Sequence, residues 1–63
     1  MPIVQVQMWE GRTEDQKERI AKEITDIMVS VAKAPRDAVT VVFNEYKRTN
    51  WAEGGILARD LTE

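Results

Sequence analysis

Apolar and polar side chains alternate near the amino terminus, over residues 3–9. In an extended chain Val4, Val6 and Met8 share one face, and the two glutamines between them point the other way. This alternation predicts a β-strand with one buried face and one polar face. Gly11 follows soon after, and glycine readily adopts backbone conformations that end a strand.

The pattern then changes to helical spacing. Thr13 is followed three residues later by Gln16, a capping box that predicts the start of a helix. Apolar residues recur every three or four positions after it, at Ile20, Ile24, Ile27, Met28 and Val31. This amphipathic spacing predicts a helix of about five turns that runs to near Lys33. Pro35 prevents continuation, because proline disfavours helical backbone at the residue before it.

A second apolar stretch, residues 39–46, is rich in β-branched and aromatic side chains and predicts another strand. A polar loop at residues 47–50 follows, and Gly54 with Gly55 predicts the turn of a small hairpin. Strand, helix and strand in succession indicate a β-α-β unit with parallel strands and a right-handed crossover. The predicted fold class is therefore α+β, a single domain over residues 1–63 with a C-terminal hairpin.

The chain is short for a domain that folds alone. It has 63 residues, and the free energy gained by burying its apolar surface comes close to cancelling the entropy cost of ordering it. A two-stranded parallel sheet also has two open edges, and one helix covers one of its faces. We therefore expect a homo-oligomer in which other copies cover the second face.

Composition excludes several kinds of chemistry. The sequence contains no cysteine and no histidine, so disulfides, thiolate metal sites, cysteine nucleophiles and histidine bases are ruled out. The net charge is -2, so no nucleic-acid partner is expected. No apolar run is long enough for a membrane span, and the amino terminus lacks the pattern of a secretory signal. We expect a cytoplasmic protein with no membrane partner.

Pro2 is the residue that most changes this picture. Removal of Met1 would leave proline with a free secondary amine, and α-amino groups titrate near about 7.7–8.0. A nearby cation or an apolar pocket lowers that pKa, and a neutral amine is a competent general base. If Met1 is retained, the Pro2 nitrogen is an amide and the chain is an inactive oligomeric scaffold.

The order of these features resembles the tautomerase superfamily, and within it the short-chain 4-oxalocrotonate tautomerases. The resemblance extends over nearly the whole chain. Its residues are Pro2, the Glu10-Gly11-Arg12-Thr13 turn, Glu14, Gln16-Lys17, Ala34-Pro35, Val39 and Gly54-Gly55.

This resemblance implies a hexamer, a trimer of dimers, that works without cofactor or metal. Pro2 would act as general base and acid, moving a proton between oxygen and carbon of a small 2-hydroxydienoate or 2-oxo acid. Arg12 would bind the carboxylate of this unsaturated substrate, and Trp51 would form an apolar wall of the site. Without the resemblance, we would interpret Arg12 as a solvated surface residue and Trp51 as part of the core of an oligomer.

Thr40 departs from the family pattern, because the best-known member has a second arginine there. Thr40 is therefore assigned to substrate binding, and weaker activity on dicarboxylates is expected. Arg36 and Arg48 are the candidate replacements, and the sequence alone does not determine where either of them lies.

Glu53 supports an alternative activity. The segment around it resembles the 3-chloroacrylate dehalogenases, in which a matching glutamate activates water for addition to an unsaturated acid. Those enzymes use two arginines, and Trp9 stands where the earlier one would be. Glu53 is therefore a candidate substrate-binding residue for a hydratase or dehalogenase, and otherwise a surface carboxylate beside a turn.

Overall fold

The computed structural model describes residues 1–61 and consists of two parallel strands joined by one helix, followed by a small hairpin. The elements are β1 (Ile3–Trp9), α1 (Glu14–Ser30), β2 (Thr40–Tyr46), β3 (Ala52–Glu53) and β4 (Ile56–Leu57). Short 3₁₀ turns occupy Arg36–Ala38, Arg48–Asn50 and Ala58–Asp60. This confirms the predicted α+β class, although the last two residues of the predicted domain lie outside the described range. No helix within residues 1–61 is long and apolar enough to cross a membrane.

The strands β1 and β2 pair in parallel over their full lengths. Ile3 is aligned with Thr40 at one end and Trp9 with Tyr46 at the other. The Thr40 amide donates to the Pro2 carbonyl at 3.0 Å and so extends the ladder by one residue. Exposure alternates along β1, as the sequence predicts, because successive side chains point to opposite faces of a strand.

The first turn of α1 is fixed by its capping box. The Gln16 amide donates to Thr13 Oγ1 at 3.1 Å, and the Thr13 amide donates to Gln16 Oε1 at 2.9 Å. Glu14 and Asp15 follow in the first turn, where the helix dipole favours negative charge. The predicted helix start is confirmed.

The predicted end of the helix is wrong by about one turn. The helix ends at Ser30, and Lys33 adopts a left-handed backbone conformation with φ of 60°. The Ala34 amide then donates to the Met28 carbonyl at 3.2 Å. The chain therefore reverses before Pro35 acts, because the left-handed residue turns it away from the helix axis.

Ion pairs connect α1 to both of its neighbours in sequence. Lys17 Nζ lies 2.8 Å from Glu45 Oε1 of β2. Asp26 pairs with Arg36 of the following 3₁₀ turn and with Lys22 one turn earlier. Hydrogen bonds from Arg36 and then Lys22 lower the pKa of Asp26 below its ordinary value of 3.8. Arg36 thus has a structural partner.

A single protomer leaves much apolar surface uncovered. Within residues 1–61, Ala58 is the one fully buried hydrophobic residue. Ile27 and Val31 belong to the predicted apolar stripe of α1, yet they are 59% and 75% exposed. Ile3 is 58% exposed on the open face of the sheet. The apolar stripe of α1 is wider than the area that the two strands cover. Part of it is therefore available to contact another protein surface.

The dimensions of the chain support the same conclusion. Its radius of gyration is 14.5 Å, whereas a compact domain of this length has one of about 11 Å. Its accessible surface is 4879 Å², against about 4,100 Å² for a folded monomer of this mass. The protomer is therefore too extended to behave as an independent globule.

We accordingly predict that the native protein is a homo-oligomer with a mass several times 7.2 kDa. Light scattering at micromolar concentration measures this mass directly. Val42→Glu puts a charge on the open sheet face and should dissociate and unfold the assembly, whereas Ala32→Glu, in an exposed turn, should not. A folded monomer in the unmodified protein would contradict the prediction.

Candidate active site

Three aromatic rings meet at the carboxyl end of the parallel sheet. Trp9 ends β1, Tyr46 ends β2, and Trp51 follows the next 3₁₀ turn. The Trp51 ring lies 6.1 Å from Trp9 and 5.7 Å from Tyr46, with edge-to-face interplanar angles of 86° and 62°. The Tyr46 hydroxyl donates to Gln7 Oε1 at 2.7 Å, which fixes Tyr46 on the open face of the sheet.

The C-terminal hairpin holds Trp51 in place. Gly54 and Gly55 have φ values of 60° and 82°, so they form the tight turn that the sequence predicts. The Ala58 amide donates to the Trp51 carbonyl at 2.7 Å and fastens the end of the hairpin to the start. The Trp51 indole Nε1–H donates to Glu53 Oε2 at 3.2 Å, which fixes the ring from its other side.

Arg12 reaches this aromatic cluster because the chain turns sharply after β1. Gly11 has a φ of 128°, a conformation that side chains rarely allow. A cavity of about 280 Å³ results, lined by Gln7, Met8, Trp9, Arg12 and Trp51. We call it the aromatic cavity. The structure therefore brings together Arg12 and Trp51, two of the predicted site residues.

A second cavity adjoins the first at Arg12. It has a volume of about 340 Å³ and is lined by Glu10, Gly11, Arg12, Gln16 and Arg48. We call it the polar cavity. Arg48 lies over the Trp9 ring, with its guanidinium carbon 4.2 Å from the ring centroid. Arg12 is thus flanked by an apolar compartment on one side and a polar one on the other.

Pro2 and Thr40 lie at the opposite end of the sheet. Pro2 directly precedes β1, Thr40 is the first residue of β2, and the Thr40 amide donates to the Pro2 carbonyl. β1 has seven residues, so it separates Pro2 from the turn that carries Arg12 by roughly 23 Å. One protomer therefore does not bring the predicted base to the predicted carboxylate-binding residue.

Glu53 is exposed in β3, and its carboxylate accepts the Trp51 indole hydrogen. It lies beside the aromatic wall but does not line either cavity. The structure thus brings Glu53 to the same end of the sheet as Arg12 and away from Pro2 of its own chain.

Trp9 and Arg48 also line these cavities, although from the sequence Trp9 has no predicted role in the site and Arg48 is only a candidate replacement for the second arginine. Trp9 interrupts the alternation of β1, since it follows Met8 and both are half-buried. In the sequence, the signal for Trp9 was this break in the alternation, two residues before Gly11. Arg48 carried no such signal, because its position depends on the 3₁₀ turn between β2 and the hairpin.

A larger, shallower depression of about 610 Å³ lies between α1 and β2. It contains the Lys17–Glu45 ion pair, whose charges are used to hold the helix on the sheet. None of the predicted site residues lines it, so the carboxyl end of the sheet is the better candidate.

Comparison with known proteins shows the family to which the chain belongs. The family described as "Tautomerase enzyme" matches residues 2–61, from Pro2 to Leu61, the residue after the last 3₁₀ turn. The chain belongs to the tautomerase family. A probable tautomerase of Listeria monocytogenes is 38% identical over 61 residues, which cover 97% of this chain and 100% of the relative.

Solved structures in this family share the fold. A 4-oxalocrotonate tautomerase isozyme from Methylibium petroleiphilum has a TM-score of 0.86 and 34% identity, covering 92% of this chain and 94% of its own. A heterohexameric 4-oxalocrotonate tautomerase from Chloroflexus aurantiacus has a TM-score of 0.89 and 27% identity, covering 98% and 100%. The chain is therefore a short tautomerase similar to the 4-oxalocrotonate tautomerases, an isomerase-like enzyme.

Proposed function

We propose that this tautomerase moves a proton between oxygen and carbon of a small unsaturated 2-hydroxy or 2-oxo acid, with Pro2 as general base and acid. The observation that carries the proposal is the convergence of Arg12 and Trp51 on one cavity at the carboxyl end of the sheet. An arginine beside an aromatic wall suits a carboxylate attached to a flat conjugated chain.

The reaction needs one group that accepts and returns a proton. The Pro2 amine takes the hydroxyl proton of the dienol, the electron pairs shift along the conjugated chain, and the resulting ammonium protonates a carbon. Arg12 holds the carboxylate and stabilises negative charge that develops on the substrate. Its positive charge also disfavours protonation of a nearby amine.

The site is composite, with Pro2 from one protomer and Arg12 and Trp51 from another. The length of β1 keeps these residues apart within one chain, and the uncovered apolar surface requires neighbouring chains. The Chloroflexus aurantiacus relative is a heterohexamer. We propose a homohexamer for this chain, in which assembly and completion of the site are the same event.

Thr40 enters the composite site with Pro2, because the two residues adjoin at the amino ends of the strands. Its hydroxyl is a neutral hydrogen-bond donor and acceptor. The Pro2 end of the site therefore recognises a carbonyl or hydroxyl oxygen of the substrate.

Met1 controls whether the base exists. Its side chain and backbone are 90% exposed in the protomer, and while it is attached the Pro2 nitrogen is an amide. Activity therefore requires removal of Met1, and a chain that retains it is the inactive scaffold.

We predict that blocking the amino terminus abolishes most of the activity. A protein that retains Met1 or carries an amino-terminal tag should lose about 10²–10⁴-fold in kcat/KM, because it lacks its general base. Pro2→Ala with a free terminus keeps a primary amine and should lose less. Ketonisation of phenylenolpyruvate and of 2-hydroxymuconate, with intact mass as the control for processing, measures the difference. Equal activity of blocked and free proteins would remove Pro2 from the mechanism.

Mixed assemblies test the composite site. Arg12→Ala should lower kcat/KM by about 10²-fold, the loss of one charge-assisted contact. When Arg12→Ala and Pro2→Ala chains are unfolded and reassembled together in equal amounts, about one site in four should contain both intact residues. Activity should then exceed the sum of the separate variants. No gain over that sum would place both residues in one protomer.

Hydration or dehalogenation of an unsaturated acid is the second candidate function. It is supported by the position of Glu53, whose carboxylate contacts the Trp51 wall. In this reaction Glu53 would take a proton from water while a protonated Pro2 donates one to carbon. Tautomerisation requires the opposite state, a neutral Pro2.

We predict that tautomerisation is the main activity. Glu53→Gln preserves an acceptor for the Trp51 indole and should retain most of the ketonisation activity, and the unmodified protein should convert 3-chloroacrylate slowly or not at all. A ¹⁵N titration that places the pKa of Pro2 well above neutrality, together with loss of activity in Glu53→Gln, would favour the hydratase instead.

A further inference from the structure

The contact between Arg48 and Trp9 links a second cation to the candidate site. The Arg48 guanidinium lies 4.2 Å from the centroid of the Trp9 ring, within the range of a cation–π interaction. Trp9 lines the aromatic cavity, and Arg48 lines the polar cavity next to it. Arg12 lines both cavities. Both arginines therefore line the polar cavity.

We propose that Arg48 is a second carboxylate-binding residue of this site, positioned by its stacking on Trp9. This inference rests on the proposed function, since it names a further residue and the class of substrate. The site would take a planar conjugated acid whose chain lies in the aromatic cavity and whose carboxylate faces both Arg12 and Arg48.

The polar cavity has the composition that such a role requires. Among the described residues that line it, Arg12 and Arg48 supply two positive charges and Glu10 supplies one carboxylate. Two guanidinium groups can each donate to a carboxylate oxygen, and charge-assisted hydrogen bonds of this kind are the strong ones. An anion entering the cavity is therefore favoured over a neutral group of the same shape.

Trp9 is the positioning residue in this arrangement. Its indole nitrogen is buried and has no hydrogen-bond partner within residues 1–61. The orientation of the ring is thus set by packing against Trp51 and by Arg48, not by a hydrogen bond. A smaller apolar side chain would still fill part of the space but would leave Arg48 without its platform.

The placement of the two cations selects the substrate class. Both lie at the carboxyl end of the sheet, whereas the residue beside Pro2 is the neutral Thr40. A substrate with one carboxylate and a conjugated chain would match a site that is positively charged at the Arg12 end and neutral at the Pro2 end. Arg36, the other candidate for a second cation, is paired with Asp26 on α1 and lines neither cavity.

The test is a binding titration with a matched pair of probes. Trans,trans-hexa-2,4-dienoate is a conjugated monocarboxylate, and its amide is a neutral molecule of the same shape. The chain contains two tryptophans, so the two indole N–H signals in ¹⁵N-labelled protein report on Trp9 and Trp51 directly. Dissociation constants follow from the shifts of these signals, and no catalysis is needed.

Arg48→Gln should raise the dissociation constant for the dienoate about tenfold, because Arg12 still binds the carboxylate when the contact to Arg48 is lost. It should leave binding of the amide unchanged. Lys47→Gln is the control, because Lys47 is the adjacent cation and lines neither the aromatic nor the polar cavity. Screening by salt should limit its effect on the dienoate to about twofold.

Trp9→Leu tests the positioning role. It should weaken dienoate binding, and Arg48→Gln should cost much less in the Trp9→Leu background than in the unmodified protein, since coupled residues are not additive. All variants are compared at the same oligomer mass. Additive effects of Trp9→Leu and Arg48→Gln would overturn the positioning role of Trp9.

Three other results would overturn the inference: no binding of the dienoate to the unmodified protein, equal weakening by Arg48→Gln and Lys47→Gln, or equal weakening of dienoate and amide binding by Arg48→Gln. Failure of the proposed function looks different. Suppose that the protein with Met1 removed binds the dienoate through Arg48 but does not catalyse tautomerisation. This result would disprove the proposed activity, while the proposed role of Arg48 in binding would stand.

Discussion

A parallel pair of strands with a single helix on it has one face that the chain itself does not cover, and the rest of this molecule depends on that constraint. The register of β1 and β2 sends Val4 and Val41 to one face and Ile3 and Thr40 to the other. The helix covers the first face. The second face, with the flank of α1 that carries Ile27 and Val31, remains exposed in a protomer. Association is the remaining way to bury it, since the chain has no disulfide or thiolate metal site.

The same strand pair decides how the site is divided. Parallel strands place all their carboxyl ends together, so Trp9, Tyr46 and the turn with Arg12 gather at one end. All their amino ends meet at the other, where Pro2 adjoins Thr40. A proton-transfer group and a carboxylate-binding group on one such unit are separated by the strand length. Chemistry that needs both requires two copies of the chain.

How far the sequence predicts this structure depends on the range of each signal. The capping box at Thr13 and the turn at Gly54 are local, and both predictions are confirmed. The end of α1 was missed, because a left-handed Lys33 leaves no mark that distinguishes it from a helical lysine. The Arg48–Trp9 contact joins residues 39 positions apart through a 3₁₀ turn, so no local pattern could show it. Arg12 and Trp51 were assigned to the site through resemblance to a family, and in the structure both line one cavity.

The proposal of Pro2 as the base follows partly from the ion pairs that the other charged residues form. Lys17 and Glu45 hold the helix on the sheet, and Asp26 joins α1 to Arg36. The pKa of Asp26 is lowered by these partners, so it is a weaker base than an ordinary carboxylate. Without histidine or cysteine, a free α-amino group is the group whose ordinary pKa lies near neutrality. In the proposed mechanism that group is the amine of Pro2, at the amino end of the strand pair. Under that proposal, burial by a neighbouring protomer and the charge of its arginines would both disfavour the ammonium form. Under the proposed function, the contacts that bury the exposed apolar surface would thus also favour the neutral amine, the form that accepts a proton.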